Sequence, residues 1–172
     1  MLKVAILSRE SAIKGDFYMG NQTETFKEIL ERDGTLVYKT KGISMLPMLR
    51  TNKDVIIIRA KKPGEIFKKY DVALFLRDNG QYVLHRITKV GKDHYMIRGD
   101  NCRYTEYVRE DQVLGILDTF IRDGKDKIES TDLKYRIYYH LRVWDYPIRR
   151  AKCEILVAIK KMLGMDIGPI PE

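Results

Sequence analysis

Cysteine is scarce in this 172-residue chain, which holds only Cys102 and Cys153. Two cysteines this far apart form neither a Cys-x-x-Cys pair nor a framework, so a disulfide scaffold, a thiolate zinc site and a dithiol redox centre are excluded. Cys102 lies in a turn with no histidine motif aimed at it and reads as a small turn residue. Histidine is equally thin, at three, and His94 and His140 have no chemical company; both read as structural. No metal and no cofactor is therefore expected. Long apolar runs are missing too. Nothing approaches the roughly 18 consecutive apolar residues of a membrane-spanning helix; the longest, such as Val55-Ile56-Ile57-Ile58, have strand length. The amino end, Met1 to Glu10, is too short and too soon charged for a secretory signal, which makes the cytosol the expected compartment.

What is present is positive charge and patterned hydrophobicity. Net charge is +8, and it is unevenly placed. Between Leu133 and Leu163 stand Lys134, Arg136, Arg142, Arg149, Arg150, Lys152, Lys160 and Lys161, opposed only by Asp145 and Glu154. Such a face attracts lipid or nucleic-acid phosphates, or is simply solvated. The expected partner is an anionic membrane surface through 133–163, held peripherally on its inner face; nucleic acid is the weaker reading. Oligomeric state is not legible.

The periodicity changes along the chain. Thr23 to Asp33 reads as a short helix, with Phe26, Ile29 and Leu30 at helical spacing and Gly34 placed to stop it. Ala12 to Gln22 reads as irregular. From Thr35 to about Lys127 the pattern is β. Strands are expected at Thr35–Lys39, Asp54–Arg59, Asp71–Leu76, Gln81–Ile87, His94–Arg98 and Val113–Arg122, with Asp78-Asn79-Gly80 as a hairpin turn and Asp123-Gly124 closing the region. From Thr131 the period becomes 3.6. Leu133, Ile137 and Leu141 mark one helix, Asp145 to Pro147 interrupts it, and Ile148, Ala151, Ile155, Ile159 and Met162 line a second, ended by Gly164; Gly168 to Pro171 is a loose tail. The fold class is mainly β, with a short N-terminal helix and two basic amphipathic helices at the C-terminus. A β-rich domain over 1–130 and a helical extension over 131–172 are expected.

Three residues carry chemistry. Ser44 stands in Gly42-Ile43-Ser44-Met45-Leu46-Pro47, a loop that glycine can turn sharply and proline stiffens. Backbone N–H groups left free there would suit an oxyanion, and Met45 and Leu46 suggest a substrate-facing patch. His85 lies in an apolar strand and shares its face with Val83, while Arg86 should face outward. Asp100 lies in the turn Gly99-Asp100-Asn101, where it either orients a base or merely holds the turn. Glu106, Glu110 and Asp111 compete for the orienting role. A serine hydroxyl is a weak nucleophile until a base takes its proton, and a carboxylate fixes that base's tautomer.

These residues, in this order, resemble the signal peptidase I family and its relatives, the self-cleaving repressor peptidases. Gly42 to Pro47 looks like the nucleophile box. Asn52-Lys53-Asp54-Val55-Ile56-Ile57 and Tyr70-Asp71-Val72-Ala73-Leu74-Phe75 look like the family's Gly-Asp-x-Val strands without the glycine. Leu84-His85-Arg86-Ile87 matches the base box of the endoplasmic-reticulum subgroup, where histidine replaces lysine. Arg98-Gly99-Asp100-Asn101 and Val113-Leu114-Gly115 complete a series over roughly residues 35–122. The resemblance implies a β-rich, signal-peptidase-like catalytic domain. In it Ser44 attacks a peptide carbonyl, His85 accepts the proton, and the Ser44 backbone N–H and the Gly42 loop form the oxyanion site. It implies a serine endopeptidase that removes a leader from a peptide or preprotein bound as an added strand. The family's second oxyanion hydroxyl would fall at Gly42, which has none. A second acid six residues beyond the first falls at Glu106, so Glu106 rivals Asp100. Neither the family's spanning helix nor the repressors' DNA-binding domain is legible here. The alternative is a non-catalytic binding module of the same fold whose basic helices engage nucleic acid, membrane or a protein partner.

Overall fold

The structure, a computed structural model, describes residues 24–164. The irregular stretch expected at 12–22 and the tail at 168–171 lie outside the described residues. The described residues begin with helix α1 (Phe26–Asp33). Thr25 caps it: its hydroxyl accepts from the Glu28 N–H while the Glu28 carboxylate accepts from the Thr25 N–H at 2.7 Å. This reciprocal pair satisfies two donors that a helix start leaves open. Gly34, at φ 67°, ends the helix in the left-handed region that glycine enters at least cost.

Eight strands follow and make one antiparallel sheet. They are β1 (Thr35–Lys39), β2 (Val55–Ala60), β3 (Val72–Leu76), β4 (Tyr82–Val90), β5 (His94–Arg98), β6 (Glu106–Arg109), β7 (Val113–Arg122) and β8 (Asp126–Glu129). Their spatial order is β1-β2-β7-β3-β4-β5-β6, and β8 pairs with the last residues of β7. The protein is mainly β. Two strands escape the sequence pattern. β6 has one buried residue, Val108, in four, too few for alternation to register. β8 follows Asp123 (φ 53°) and Gly124 (φ 68°), which do not close the β region but fold it back as a hairpin.

The strands bury both faces. Ile56 and Ile58 of β2 and Val72 and Leu74 of β3 join α1 and the Met45–Leu49 turn in one core. Ala73 and Phe75 face the other way, into a second core with Ile87, Tyr95 and Ile97. Runs such as Val55-Ile56-Ile57-Ile58 read as continuously apolar because neither face meets water.

Two helices close the described chain, α2 (Leu133–Trp144) and α3 (Tyr146–Met162). The aliphatic residues that mark them in sequence do not pack on the sheet. Helix α2 docks through Tyr135, buried in the first core, with Tyr138 and Tyr139 beside it. No residue of α3 is fully buried. Among the described residues no helix is long and apolar enough to cross a membrane.

Candidate functional site

Strand β4 carries two polar residues in succession, and the pleat sends them to opposite faces. His85 is buried on the face of Val83 and Ile87, with the Phe75 ring set edge-on at 6.2 Å. Its Nδ1 lies 3.1 Å from Glu106 Oε1. The other carboxylate oxygen accepts from Arg77 Nε at 2.7 Å, and Arg77 also donates to the Gln81 side chain. Partial burial pushes the Glu106 carboxyl up. The hydrogen bonds from His85 and Arg77 and the nearby Arg77 charge outweigh that and hold its pKa down, at about 2. An ionised carboxylate only accepts, so Nδ1 carries a proton toward it, and in the neutral ring the lone pair is on Nε2. Nε2 points to the turn at 99–102, where Cys102 Sγ is 3.9 Å away.

No hydrogen bond joins Asp100 to His85 among the described residues. Asp100 serves the other residue of the pair. Arg86 is 1% exposed rather than facing outward. Its Nε and Nη2 each donate to Asp100 at 2.7 Å, and its Nη1 donates to Tyr70 O and to the Tyr135 hydroxyl. Tyr138 donates to the same carboxylate at 3.1 Å. A guanidinium can be buried here only because a bidentate carboxylate neutralises it. The acid within reach of His85 is Glu106, the residue that the six-residue spacing of the resemblance marks as the rival. Glu110 instead pairs with Lys61 at 2.9 Å and Asp111 with Arg109.

The Ser44 turn is braced against the Asp100 turn. Asn101 N–H donates to Ser44 O at 2.7 Å, and the Asn101 amide donates to Ile43 O at 3.3 Å. Gly42 enters the turn at φ 80°, and its carbonyl accepts from the Thr51 hydroxyl. Among the described residues none accepts from the Ser44 N–H and none bonds its hydroxyl. No hydrogen bond joins Ser44 to His85. Both residues line one cleft of about 720 Å³, together with Gly42 and Met45. Leu46 does not line it; its carbonyl faces Arg142 Nη2 at 3.5 Å. The cleft floor is apolar, with Ile56, Ile58 and Leu74, and its sides are the end of β1 with the following turn and the start of β4. Two strand edges border it. Among the described residues β1 pairs only with β2, and β4 meets β5 only from Arg86 onward.

Gly99 is where these parts meet. A Cβ there would lie 2.7 Å from Ser44 O, 3.0 Å from His85 Nε2 and 2.6 Å from Cys102 Sγ. The first obstacle is backbone and cannot rotate away. Gly99→Ala is therefore expected to push the Ser44 turn off the His85 ring. The check is the crystal structure of the variant beside that of the parent. An unmoved Ser44 turn would show that the close approach is not needed.

Chemically, the arrangement offers an imidazole held at Nδ1 by a carboxylate and, among the described residues, a hydroxyl and an N–H without partners on one wall and an apolar trough between two unpaired strand edges. No family model matches this chain, and no curated protein sequence does.

Proposed function

We propose that the protein is a serine endopeptidase similar to signal peptidase, in which Ser44 is the nucleophile, His85 the general base and Glu106 the orienting acid. The observation that carries this reading is the Glu106–His85 pair, whose Nε2 faces the 99–102 turn, against which the Ser44 turn is braced. A substrate carbonyl held over Ser44 draws the hydroxyl toward the base, since contacts of this kind tighten as substrate binds. His85 takes the proton as Oγ adds to the carbonyl carbon. Charge on the carbonyl oxygen is met by the Ser44 N–H and the Gly42 turn. The imidazolium then returns the proton to the leaving amine, and water reverses the sequence to release the acyl group. Glu106, ionised at every pH of interest, stabilises the imidazolium throughout. Asp100 has no part in this chemistry beyond bracing the turn.

The substrate class is an extended peptide. It adds as a strand to the open edge of β1 or of Tyr82–His85, with its side chains alternately in the apolar trough and outside it. Backbone pairing of this kind suits a leader segment with little structure of its own.

The test is incubation of the full-length protein with a peptide library of extended leader-like sequences, with mass spectrometry of the new ends. The expected result is cleavage at a recurrent sequence position, absent from a Ser44→Ala control. Cleavage that the control retains, or none at all, would leave the cleft as a peptide-binding groove without catalysis.

A further inference from the structure

Helices α2 and α3 are inverted relative to an ordinary surface helix, which turns its apolar stripe inward. Helix α2 gives the sheet its tyrosines, as described above, and α3 rests on Tyr146, Arg149, Cys153 and Val157, which are only half-buried. Tyr146 lies under the Arg98 guanidinium, 3.2 Å from the ring centre, and donates to Arg103 O. Arg142 and Arg149 donate to Asp100 O at 3.0 and 3.1 Å. The aliphatic side chains point elsewhere. Ile137, Leu141, Trp144, Ile148, Ile155 and Ile159 are between 47% and 72% exposed. At about 100° per residue, Ile148, Ile155, Ile159 and Met162 fall within roughly 60° of arc, on the side of α3 away from its resting face.

Charge identifies what covers this stripe. Lys134, Arg136, Arg150, Lys152, Lys160 and Lys161 are all exposed on the same two helices, whereas Glu154 is the one exposed acid between Leu133 and Leu163 and is taken by Arg150 at 2.8 Å. A second copy seated on the stripe would bring two such positive sets together. A surface of phosphates would neutralise them. We propose that α2 and α3 form an in-plane docking face for an anionic lipid bilayer, with the aliphatic stripe and Trp144 among the acyl chains and the lysines and arginines at the phosphates. This does not depend on Ser44 chemistry, and its test reads binding alone.

Full-length protein is sedimented with vesicles of equal parts phosphatidylglycerol and phosphatidylcholine, and with phosphatidylcholine alone. Binding to the first and not the second is expected, and it should fall as salt is raised. Trp144 is the only tryptophan in the chain and is 72% exposed, so its emission should shift to the blue on anionic vesicles. Lys160→Gln with Lys161→Gln should weaken partitioning on the order of 25-fold, about fivefold for each charge near the surface. Ile155→Glu with Ile159→Glu should abolish it with an unchanged circular dichroism spectrum, because neither side chain is buried. Three results would overturn the proposal: no binding to anionic vesicles, equal binding to neutral ones, or binding undiminished in both variants. A concentration-dependent dimer in lipid-free sedimentation, lost in the Ile155→Glu, Ile159→Glu variant and unaccompanied by vesicle binding, would give the face to a second copy.

Discussion

Ser44→Ala should all but eliminate peptide hydrolysis while leaving the thermal midpoint where it was. The two halves of this expectation have different origins. The hydroxyl bonds no described residue, and a side chain without partners on a half-exposed turn contributes within about 0.5 kcal/mol to stability. The rate is another matter. Loss of the nucleophile of a serine peptidase lowers kcat by as much as roughly 10⁶, because no covalent acyl-enzyme can form. His85→Ala should cost about as much, and the double substitution little more than either alone, since the two residues act on one proton. Steady-state kinetics on the best library peptide, beside a melting curve, decides it. A Ser44→Ala enzyme that keeps most of its rate would remove the serine from the mechanism.

Asp100→Asn and Glu106→Gln should fail in opposite ways. Asparagine at 100 leaves the buried Arg86 guanidinium uncompensated, and breaking a buried pair by neutralising one partner costs about 3–5 kcal/mol. For a chain of this size that corresponds to a midpoint lowered by roughly 6–20 °C. Glutamine at 106 touches a half-exposed carboxylate and should unsettle the fold far less. It can, however, no longer stabilise the imidazolium or demand the Nδ1 proton, and loss of that function costs on the order of 10²–10⁴ in kcat. The measurement is a pair of numbers for each variant, a midpoint and a rate. If Asp100→Asn proved stable and inactive while Glu106→Gln stayed active, the roles assigned here would be reversed.

Much of the sheet is written locally. Asn79-Gly80 announces the β3–β4 hairpin, and β1, β5 and β7 match the expected spans residue for residue, because alternation over five or more residues is a local signal. The site is less legible because its contacts are distant. Glu106 reaches His85 across 21 residues of sequence through a strand too short to read, and its role depends on how β4, β5 and β6 align. Asp100 is nearer in sequence and offers the same functional group. Only the sheet register separates them. Arg86 looked like a solvent residue because charge usually is; its burial rests on Asp100 and on tyrosines from α2. In that helix the aliphatic stripe is plain in sequence, but its direction is not, since tyrosine packs as well as leucine when its hydroxyl finds a partner.

The adjacency of His85 and Arg86 bears on how the sheet finds its alignment. A hairpin that slips by one residue exchanges the faces of every side chain it carries. An apolar strand with both sides buried tolerates that error poorly but not absolutely, because one isoleucine resembles another. β4 cannot make the error at all without stranding two polar side chains. A slip would turn the guanidinium toward the cleft, away from Asp100, and would press the imidazole into a pocket of tyrosines with no acid to hold it. The two oppositely directed polar side chains thus act as a key cut on both edges. Each acid accepts one of them, and only one alignment of β4 satisfies both.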